Sequence, residues 1–340
     1  MKNAKIAING FGRIGRIFFR QAFSRKDIEI VAINDLGDLE NLAYLLKHDT
    51  VYGRYDKDVR VKGSNLVVDG KTVQFFQIKE SKELPWKKIG ADLVIESTGV
   101  FESFEKAKAH LDAGAKRVVL TAPAKDADGA SEKTVLIGIN EGVLKSAVIS
   151  SNASCTTNAA APIMQIMKET VGVKKAFLNT VHAYTATQNI VDGPTKGKDF
   201  RRGRAAGQNM SPSTTGAAIA VTRAVPELKG KFDGIAIRVP VVSGSIADIT
   251  FVSGRKTSAE EINGILRKAA AKPRWNGILK VTDDQIVSSD IVGEPYGAIV
   301  DAQFTKVIDG DLVKILSWYD NEWGYAAMLL KHVINSASLI

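Results

Sequence analysis

Cys155 is the only cysteine among the 340 residues, and it stands in the run Ser151-Asn152-Ala153-Ser154-Cys155-Thr156-Thr157-Asn158. Inert buried cysteines have apolar neighbours, whereas a reactive thiol needs groups that stabilise its anion. The apolar stretch Ala147 to Ser150 reads as a short strand, and Ala161, Ile163, Met164, Ile166 and Met167 recur at helical spacing. Ser, Thr and Asn cap helix starts, so the thiol is expected at a strand-to-helix turn, close to a helix N-terminus. There the free backbone N–H groups and the positive dipole end favour thiolate over thiol. A thiol nucleophile also needs a base. Of four histidines, His48 and His110 lie in or beside helical stretches of the first half and His332 in the last helix, whereas His182 ends the β-rich run Ala176 to Val181. A strand end facing a crevice is where an imidazole serves chemistry. Anion-binding groups follow. Thr185 and Thr187, two apart, share one side of an extended segment. Ser213-Thr214-Thr215-Gly216 opens a helix. Arg201, Arg202 and Arg204 crowd one loop, and Arg238 interrupts an apolar strand, Ile235 to Pro240. An arginine there needs a carboxylate or a phosphate beside it. Two hydroxyl-plus-arginine groups imply two phosphate sites.

The start of the chain supplies a redox partner. Lys5 to Asn9 is β-rich and runs into Gly10-Phe11-Gly12-Arg13-Ile14-Gly15-Arg16. Ile14, Ile17, Phe18 and Ala22 then mark a helix, Ile28 to Asn34 a second strand, and Asp35 falls twenty residues after Gly15. Strand, glycine turn, helix, strand and acid in this order form a dinucleotide fingerprint. Gly10 makes the tight turn, Gly12 lets the backbone approach a pyrophosphate, and Gly15 lets helix pack on strand. Asp35 accepts from ribose hydroxyls and repels a 2′-phosphate, so NAD is expected over NADP. A hydride acceptor with a thiolate suits oxidation of an aldehyde, through a hemithioacetal, to a thioester.

Elements must position these groups. Leu39 to His48 is helical, and a basic segment with hairpin-like patches follows to about Gln77. Then come a strand Asp92 to Glu96 ending in Ser97-Thr98-Gly99, a helix Phe101 to Ala115, a strand Arg117 to Thr121, and strand-like runs Thr134 to Gly138 and Ala147 to Ser150. Alternation of this kind predicts a doubly wound, mostly parallel α/β sheet, a Rossmann domain, ending at about Ser151. The second half has strand-like runs without intervening helices: Lys174 to Ala183, Phe232 to Pro240, Ala247 to Ser253, Gly297 to Ile308 and Leu312 to Tyr319. Asp309-Gly310 between the last two is a hairpin signal. A second α+β catalytic domain on a mixed or antiparallel sheet is expected over 152–320. Helices fit Thr214 to Val225, Ser258 to Ala271 (a capping box with Glu261) and Glu322 to Ser336. The loop 192–213 is long enough to be functional or interfacial. Lysine and arginine outnumber acids 46 to 37, but they are scattered, which favours anionic substrates over a nucleic-acid surface. One cysteine permits no intrachain disulfide and fits a reducing compartment. With no signal-peptide pattern and no apolar run of membrane-spanning length, a cytoplasmic protein without membrane contact is expected.

Together the motifs closely resemble phosphorylating glyceraldehyde-3-phosphate dehydrogenases of the glycolytic type. The resemblance covers essentially the whole chain. It rests on Ile8 to Arg16, on Ser154-Cys155-Thr156-Thr157-Asn158, and on Ser317-Trp318-Tyr319-Asp320-Asn321-Glu322-Trp323-Gly324-Tyr325. It implies a homotetramer that oxidises D-glyceraldehyde 3-phosphate with NAD and inorganic phosphate to 1,3-bisphosphoglycerate. In that resemblance Cys155 is the nucleophile and His182 activates it. Arg13, Ile14, Asp35, Lys79, Thr121 and Asn321 match NAD-contacting positions, with Asn321 orienting the nicotinamide amide. Ser154, Thr156, Thr185, Arg201, Thr215, Gly216 and Arg238 match substrate and phosphate positions. The loop 184–205 matches one that packs against a neighbouring subunit's cofactor site, and 321–340 should return to the first domain. Where some members carry a second cysteine, this chain has Ala159. Two alternatives remain: an erythrose-4-phosphate dehydrogenase, which shares the layout, and a non-catalytic basic nucleic-acid-binding protein.

Overall fold

The computed structural model describes residues 3–195 and 197–340. Met1 and Lys2, expected to lead into the first strand, and Lys196, within the 184–205 loop, lie outside the described residues. The chain forms two compact units, Met1–Ala153 with Ala326–Ile340, and Ser154–Tyr325.

The first unit runs β1 (Ala4–Asn9), α1 (Arg13–Ala22), β2 (Ile28–Asn34), α2 (Leu39–Lys47), β3 (His48–Asp49), β4 (Gly53–Arg54), β5 (Val59–Lys62), β6 (Asn65–Val68), β7 (Lys71–Phe76), α3 (Trp86–Ile89), β8 (Leu93–Glu96), α4 (Phe104–Asp112), β9 (Arg117–Leu120), β10 (Glu132–Thr134) and β11 (Ile149–Ser151). Among the described residues one sheet takes the order β10-β11-β9-β8-β1-β2-β7-β6-β5. Every pair from β10 to β7 is parallel, and β7-β6-β5 is an antiparallel meander. Strand order reverses at β1, so the carboxyl ends of β1, β2 and β8 flank a crevice. Ile6, Ala7 and Ile8 are all buried, as in a sheet covered on both faces. Phe18 and Phe19 of α1 pack with Ile6, Ile8 and Ile33 and with Leu329 and Val333 near the C-terminus; each such phenyl stabilises by about 2–3 kcal/mol. The segment expected to hold only hairpin-like patches supplies β5 to β7, because Val73 and Phe75 alternate inward and let β7 pair with β2. The strand expected over 134–138 ends instead at Thr134, where the Asn140 side chain accepts from Leu136 N–H and starts a turn.

The second unit holds α5 (Cys155–Thr170), β12 (Val173–Ala183), β13 (Ser211–Thr214), α6 (Ala217–Ala224), β14 (Phe232–Val239), β15 (Ser245–Ser253), α7 (Ala259–Ala270), β16 (Leu279–Thr282), β17 (Ala298–Ile308), β18 (Leu312–Tyr319) and the start of α8 (Trp323–Ala337). Its mixed sheet runs β13-β14-β12-β15-β18-β17-β16. α5 is buried on every side from Thr156 to Met167, as a helix without a polar face must be, and it packs on β12, β15, β17 and β18. Ser211 to Thr214 pairs with β14, so α6 starts at Ala217, later than the expected Thr214. The return to the first unit starts at Ala326, not at residue 321. Asn321 stays behind because Asp320 accepts from Ser243 and Gly293, and Asn321 from Gly244.

Candidate active site

α5 starts where the sequence places it. The Ser154 backbone is extended and its Oγ accepts the Thr157 N–H at 3.0 Å. Ala153, just before it, has φ +53°, a left-handed conformation that costs an alanine about 1–2 kcal/mol and marks a turn held under strain beside a functional residue. Sγ of the half-buried Cys155 lies 3.4 Å from Nε2 of His182. His182 of β12 and Arg238 of β14 are register partners in parallel strands, which puts both side chains on one face. His182 Nδ1 is 2.7 Å from both the Ala183 carbonyl oxygen and Arg238 Nη1. A carbonyl only accepts and a guanidinium only donates, so either tautomer has a partner. With Nδ1–H on Ala183, Nε2 offers its lone pair to the thiol. With Arg238 donating to Nδ1, the ring proton sits on Nε2 and points at sulfur.

Burial, and then the neighbouring Arg238 charge, hold His182 down at about 3, so the ring is neutral at pH 7, the state a proton acceptor needs. Burial also pushes the Cys155 thiol up, against the opposing pull of Arg238 and Thr156. Loss of water around sulfur thus opposes the thiolate that the helix-end amides favour. Tyr319 braces the pair. Its ring meets the His182 ring edge-on at 5.9 Å, and its hydroxyl lies 2.8 Å from Thr156 Oγ1 and 2.7 Å from Thr180 Oγ1. Thr180 donates to the Ile246 carbonyl at 3.0 Å. It therefore accepts from Tyr319, and Tyr319 accepts from Thr156, a chain with one direction.

Thr185 and Thr187 Oγ1 atoms are 3.0 Å apart, on one side as their spacing implies. Arg202 joins them, donating to Thr187 Oγ1 at 2.8 Å and to Ser213 Oγ at 3.0 Å. Arg201 does not: its Nε is held by Asp199 at 2.6 Å and its side chain is 56% exposed. Of the two, Arg202 and not Arg201 stands with these hydroxyls. Both lie in the 3₁₀ turn Phe200–Gly203, where neighbours point about 120° apart. Among the described residues Arg238 has no carboxylate partner. It donates to His182 and Ala183, and its Nε is buried without a hydrogen-bond partner among the described residues, a donor that needs an acceptor. Thr215 Oγ1 accepts Ala217 N–H at 3.2 Å, and Gly216, the N-cap of α6, has open space where a Cβ would stand. The Ser154 and Thr156 hydroxyls are engaged, with Thr157 and Tyr319.

In the first unit a cavity of about 510 Å³ opens at the strand ends, lined by Asn9, Gly10, Gly12, Asn34, Asp35, Leu36, Ile78, Lys79, Glu80, Ser97, Thr98, Val100 and Phe101. A Cβ on Gly10 (φ +95°) would stand 2.5 Å from Thr98 N, and one on Gly15 2.3 Å from Gly10 O, whereas one on Gly12 meets nothing within 4 Å. Among the described residues no side chain caps the start of α1, and a helix start of this kind suits an anion. Asp35 is fixed by Phe11 N–H on Oδ2 at 2.6 Å and Gly37 N–H on Oδ1 at 2.8 Å, and each oxygen keeps a lone pair for a hydroxyl. These features fit a dinucleotide. Three other expected contacts lie off this cavity: Arg13 pairs with Asp49 at 2.5 Å, Ile14 packs on the core, and Thr121 N–H donates to Glu96 O at 3.0 Å. Asn321, in the second unit, accepts from Gly244 N–H at 3.1 Å and Ser245 Oγ at 2.9 Å. Among the described residues no cluster of three His, Cys, Asp or Glu is placed to hold a metal ion, and no helix is long and apolar enough to cross a membrane.

Sequence reasoning named Arg202 only beside Arg201 and Arg204, and it missed Tyr319. The alternation of β18, with Val313, Ile315, Ser317 and Tyr319 buried, is the signal that would have found the tyrosine. For Arg202 no local signal separates it from Arg201. Residues 4–104 match the family model described as glyceraldehyde 3-phosphate dehydrogenase, NAD binding domain, and residues 154–321 match its C-terminal domain. The chain is 47% identical over 328 residues to a glyceraldehyde-3-phosphate dehydrogenase B of Aspergillus oryzae and 48% identical over 334 to a glyceraldehyde-3-phosphate dehydrogenase of Mycolicibacterium smegmatis, covering 96% of each chain. It is 49% identical over 333 residues to a protein of the same name from Borreliella burgdorferi, covering 96% of this chain and 97% of that one.

Proposed function

The chain belongs to the glyceraldehyde-3-phosphate dehydrogenase family, and on that premise we propose how its residues carry out the NAD-dependent oxidation of D-glyceraldehyde 3-phosphate. Cys155 adds to the aldehyde carbonyl carbon while His182 Nε2 takes the thiol proton, with Nδ1–H resting on Ala183 O. Nε2 then passes that proton to the former carbonyl oxygen, and the product is a hemithioacetal on Cys155. NAD, held by the Gly10–Gly15 turn, the α1 start and Asp35, supplies the hydride acceptor when bound. Loss of hydride to that acceptor and of the hydroxyl proton to His182 Nε2 leaves a thioester on Cys155. Inorganic phosphate attacks its carbonyl, the sulfur leaves, and 1,3-bisphosphoglycerate forms. Arg238 and the hydroxyls of Thr185 and Thr187 with Arg202 bind one phosphate, and the Thr215-Gly216 turn receives the other.

The 3.4 Å approach of Cys155 Sγ to His182 Nε2, beside the unpartnered Arg238 Nε, carries this reading. A phosphate oxygen on that Nε would satisfy it with a charge-assisted bond and draw the positive charge off the imidazole, which strengthens it as a base. Ile190, Val191 and Phe200 of the loop are 86%, 73% and 78% exposed; apolar exposure of this size supports burial against other copies, in a homotetramer. A lone catalytic thiol supports residence in the reducing cytoplasm. The names of the relatives favour neither an erythrose-4-phosphate dehydrogenase nor a nucleic-acid-binding protein. The test is NADH formation from glyceraldehyde 3-phosphate and from erythrose 4-phosphate, by the unsubstituted protein and by Cys155→Ser. The expected result is preference for the first aldehyde and no turnover by the variant; equal use of both, or turnover by Cys155→Ser, would refute the proposal.

A further inference from the structure

Beneath the dinucleotide cavity lies a buried polar chain that the reaction does not use. Glu96 at the end of β8 is 3% exposed and His110 of α4 is 0% exposed. Trp86 Nε1–H donates to His110 Nδ1 at 3.1 Å. An indole N–H only donates, so Nδ1 is an acceptor and the ring's proton is on Nε2, which lies 3.0 Å from Glu96 Oε2. The same oxygen accepts from Asn9 Nδ2 at 2.6 Å, while Oε1 accepts from Thr98 N–H at 2.8 Å and Thr98 Oγ1 at 2.5 Å. Four donors thus converge on one carboxylate. From Asn9 the chain continues: Asn34 Nδ2 donates to Asn9 Oδ1 at 2.7 Å, and Asn34 also bonds both the N–H and the carbonyl of Ile78, at 2.9 and 3.0 Å. Asn9, Asn34, Ile78 and Thr98 stand in the four separate segments that line the cavity. One carboxylate, fixed from behind by His110, therefore adds a side-chain tie between the ends of β8 and β1, and Asn9 and Asn34 carry it on to β2 and to Ile78 beyond β7, past the last residues that the backbone ladders pair.

We propose that Glu96 and His110 are positioning residues for the NAD site, holding the ends of β1, β2, β7 and β8 in the arrangement that binds the dinucleotide. The proposal rests on the assignment of this cavity to NAD. Glu96→Gln is the sharp perturbation. It keeps the shape but puts an NH₂ group where an oxygen accepts two donors. At Oε2 that group faces His110 Nε2–H, whose tautomer Trp86 fixes; at Oε1 it faces the Thr98 backbone N–H, which cannot turn. Either orientation breaks a tie, the strand ends lose their fixed arrangement, and binding must restore it. Charge alone works in the opposite direction, because removing a negative charge near a pyrophosphate site should tighten binding.

The experiment is calorimetric titration of NAD into the full-length protein and its variants, with Cys155 alkylation by iodoacetamide in the absence of NAD as a control on the second unit. Binding of NAD by the unsubstituted protein tests the cofactor assignment by itself. Glu96→Gln is expected to raise the NAD Kd at least tenfold with the alkylation rate unchanged. His110→Leu should do the same, and His110→Gln, whose amide N–H still donates to Glu96, should restore the Kd to within threefold. If Glu96→Gln does not fold, the two His110 variants decide the matter. A Glu96→Gln Kd within twofold of the unsubstituted protein, or tighter, overturns the proposal, as does a His110→Gln no better than His110→Leu.

Discussion

Removing one oxygen atom, in Tyr319→Phe, probes how the nucleophile is held. The phenyl ring keeps its edge contact with His182, but the directed chain Thr156, Tyr319, Thr180 loses its middle. Thr156 is 4% exposed and Thr180 1% exposed, so water does not replace what is lost. Thr156 O–H is left without its acceptor and Thr180 Oγ1 without its donor. Two buried hydrogen bonds at about 1 kcal/mol each sum to about 2 kcal/mol, since the freed Thr156 hydroxyl has the Cys155 sulfur to turn to. For a unit of this size that lowers Tm by about 4–8 °C. A second readout separates this from general loosening. Thr156 Oγ1 lies 4.0 Å from Cys155 Sγ, and once free of Tyr319 its hydroxyl turns to the sulfur and favours the thiolate. Thermal unfolding followed by circular dichroism and iodoacetamide alkylation at pH 7 measure the two effects. A lower Tm with faster alkylation is expected. A Tm within about 1 °C of the unsubstituted protein and an unchanged alkylation rate would refute the chain as drawn.

Three further substitutions have defined outcomes. Asp35→Gly removes the charge that repels a 2′-phosphate and orphans the Phe11 and Gly37 amides; NAD affinity should fall about tenfold or more and the margin over NADP narrow, whereas an unchanged NAD/NADP ratio in titration denies the ribose assignment. Arg202→Ala should raise the aldehyde-phosphate KM by about ten- to a hundredfold, on the scale of a lost charge-assisted contact, while Arg201→Ala stays within about twofold; steady-state kinetics showing the reverse would restore Arg201. His332, bonded to Ser150 at 2.7 Å and Asn152 at 3.2 Å, is held at about 3 by burial. The unfolded chain takes up this proton as pH falls through about 6.5 and the folded chain only near 3, so stability is lost from about 6.5 downward. Replacing His332 with Gln should flatten that limb by up to about 1.4 kcal/mol per pH unit, as measured by urea unfolding at several pH values; an unaltered slope would mean that His332 does not titrate there.

What the sequence reveals here divides along a physical line. The glycine turn, Asp35 and the Ser154 cap are local chemistry, and backbone sterics and capping make them legible from spacing alone. The pairing of Arg238 with His182 depends on the register of β12 against β14, which sequence neighbours do not encode, and the state of the thiol depends on how far the fold takes it out of water. Arg202 and Arg201 differ only in which way a short turn points them. The strands β5 to β7 read as hairpin patches because each is short and half-exposed, and only pairing with β2 makes them part of the sheet. Glu96 and His110 look like ordinary members of a strand and a helix until the fold brings them together.

The central claim is that oxidation proceeds through a thioester on Cys155 that inorganic phosphate resolves. It is tested most directly by rapid mixing of the protein with D-glyceraldehyde 3-phosphate and saturating NAD in phosphate-free buffer, following NADH from the first milliseconds. The expected trace is a burst of one NADH per Cys155 followed by a near halt, with steady turnover resuming when phosphate is added and no burst from Cys155→Ser. Sustained turnover without phosphate, or a full burst from Cys155→Ser, would contradict it.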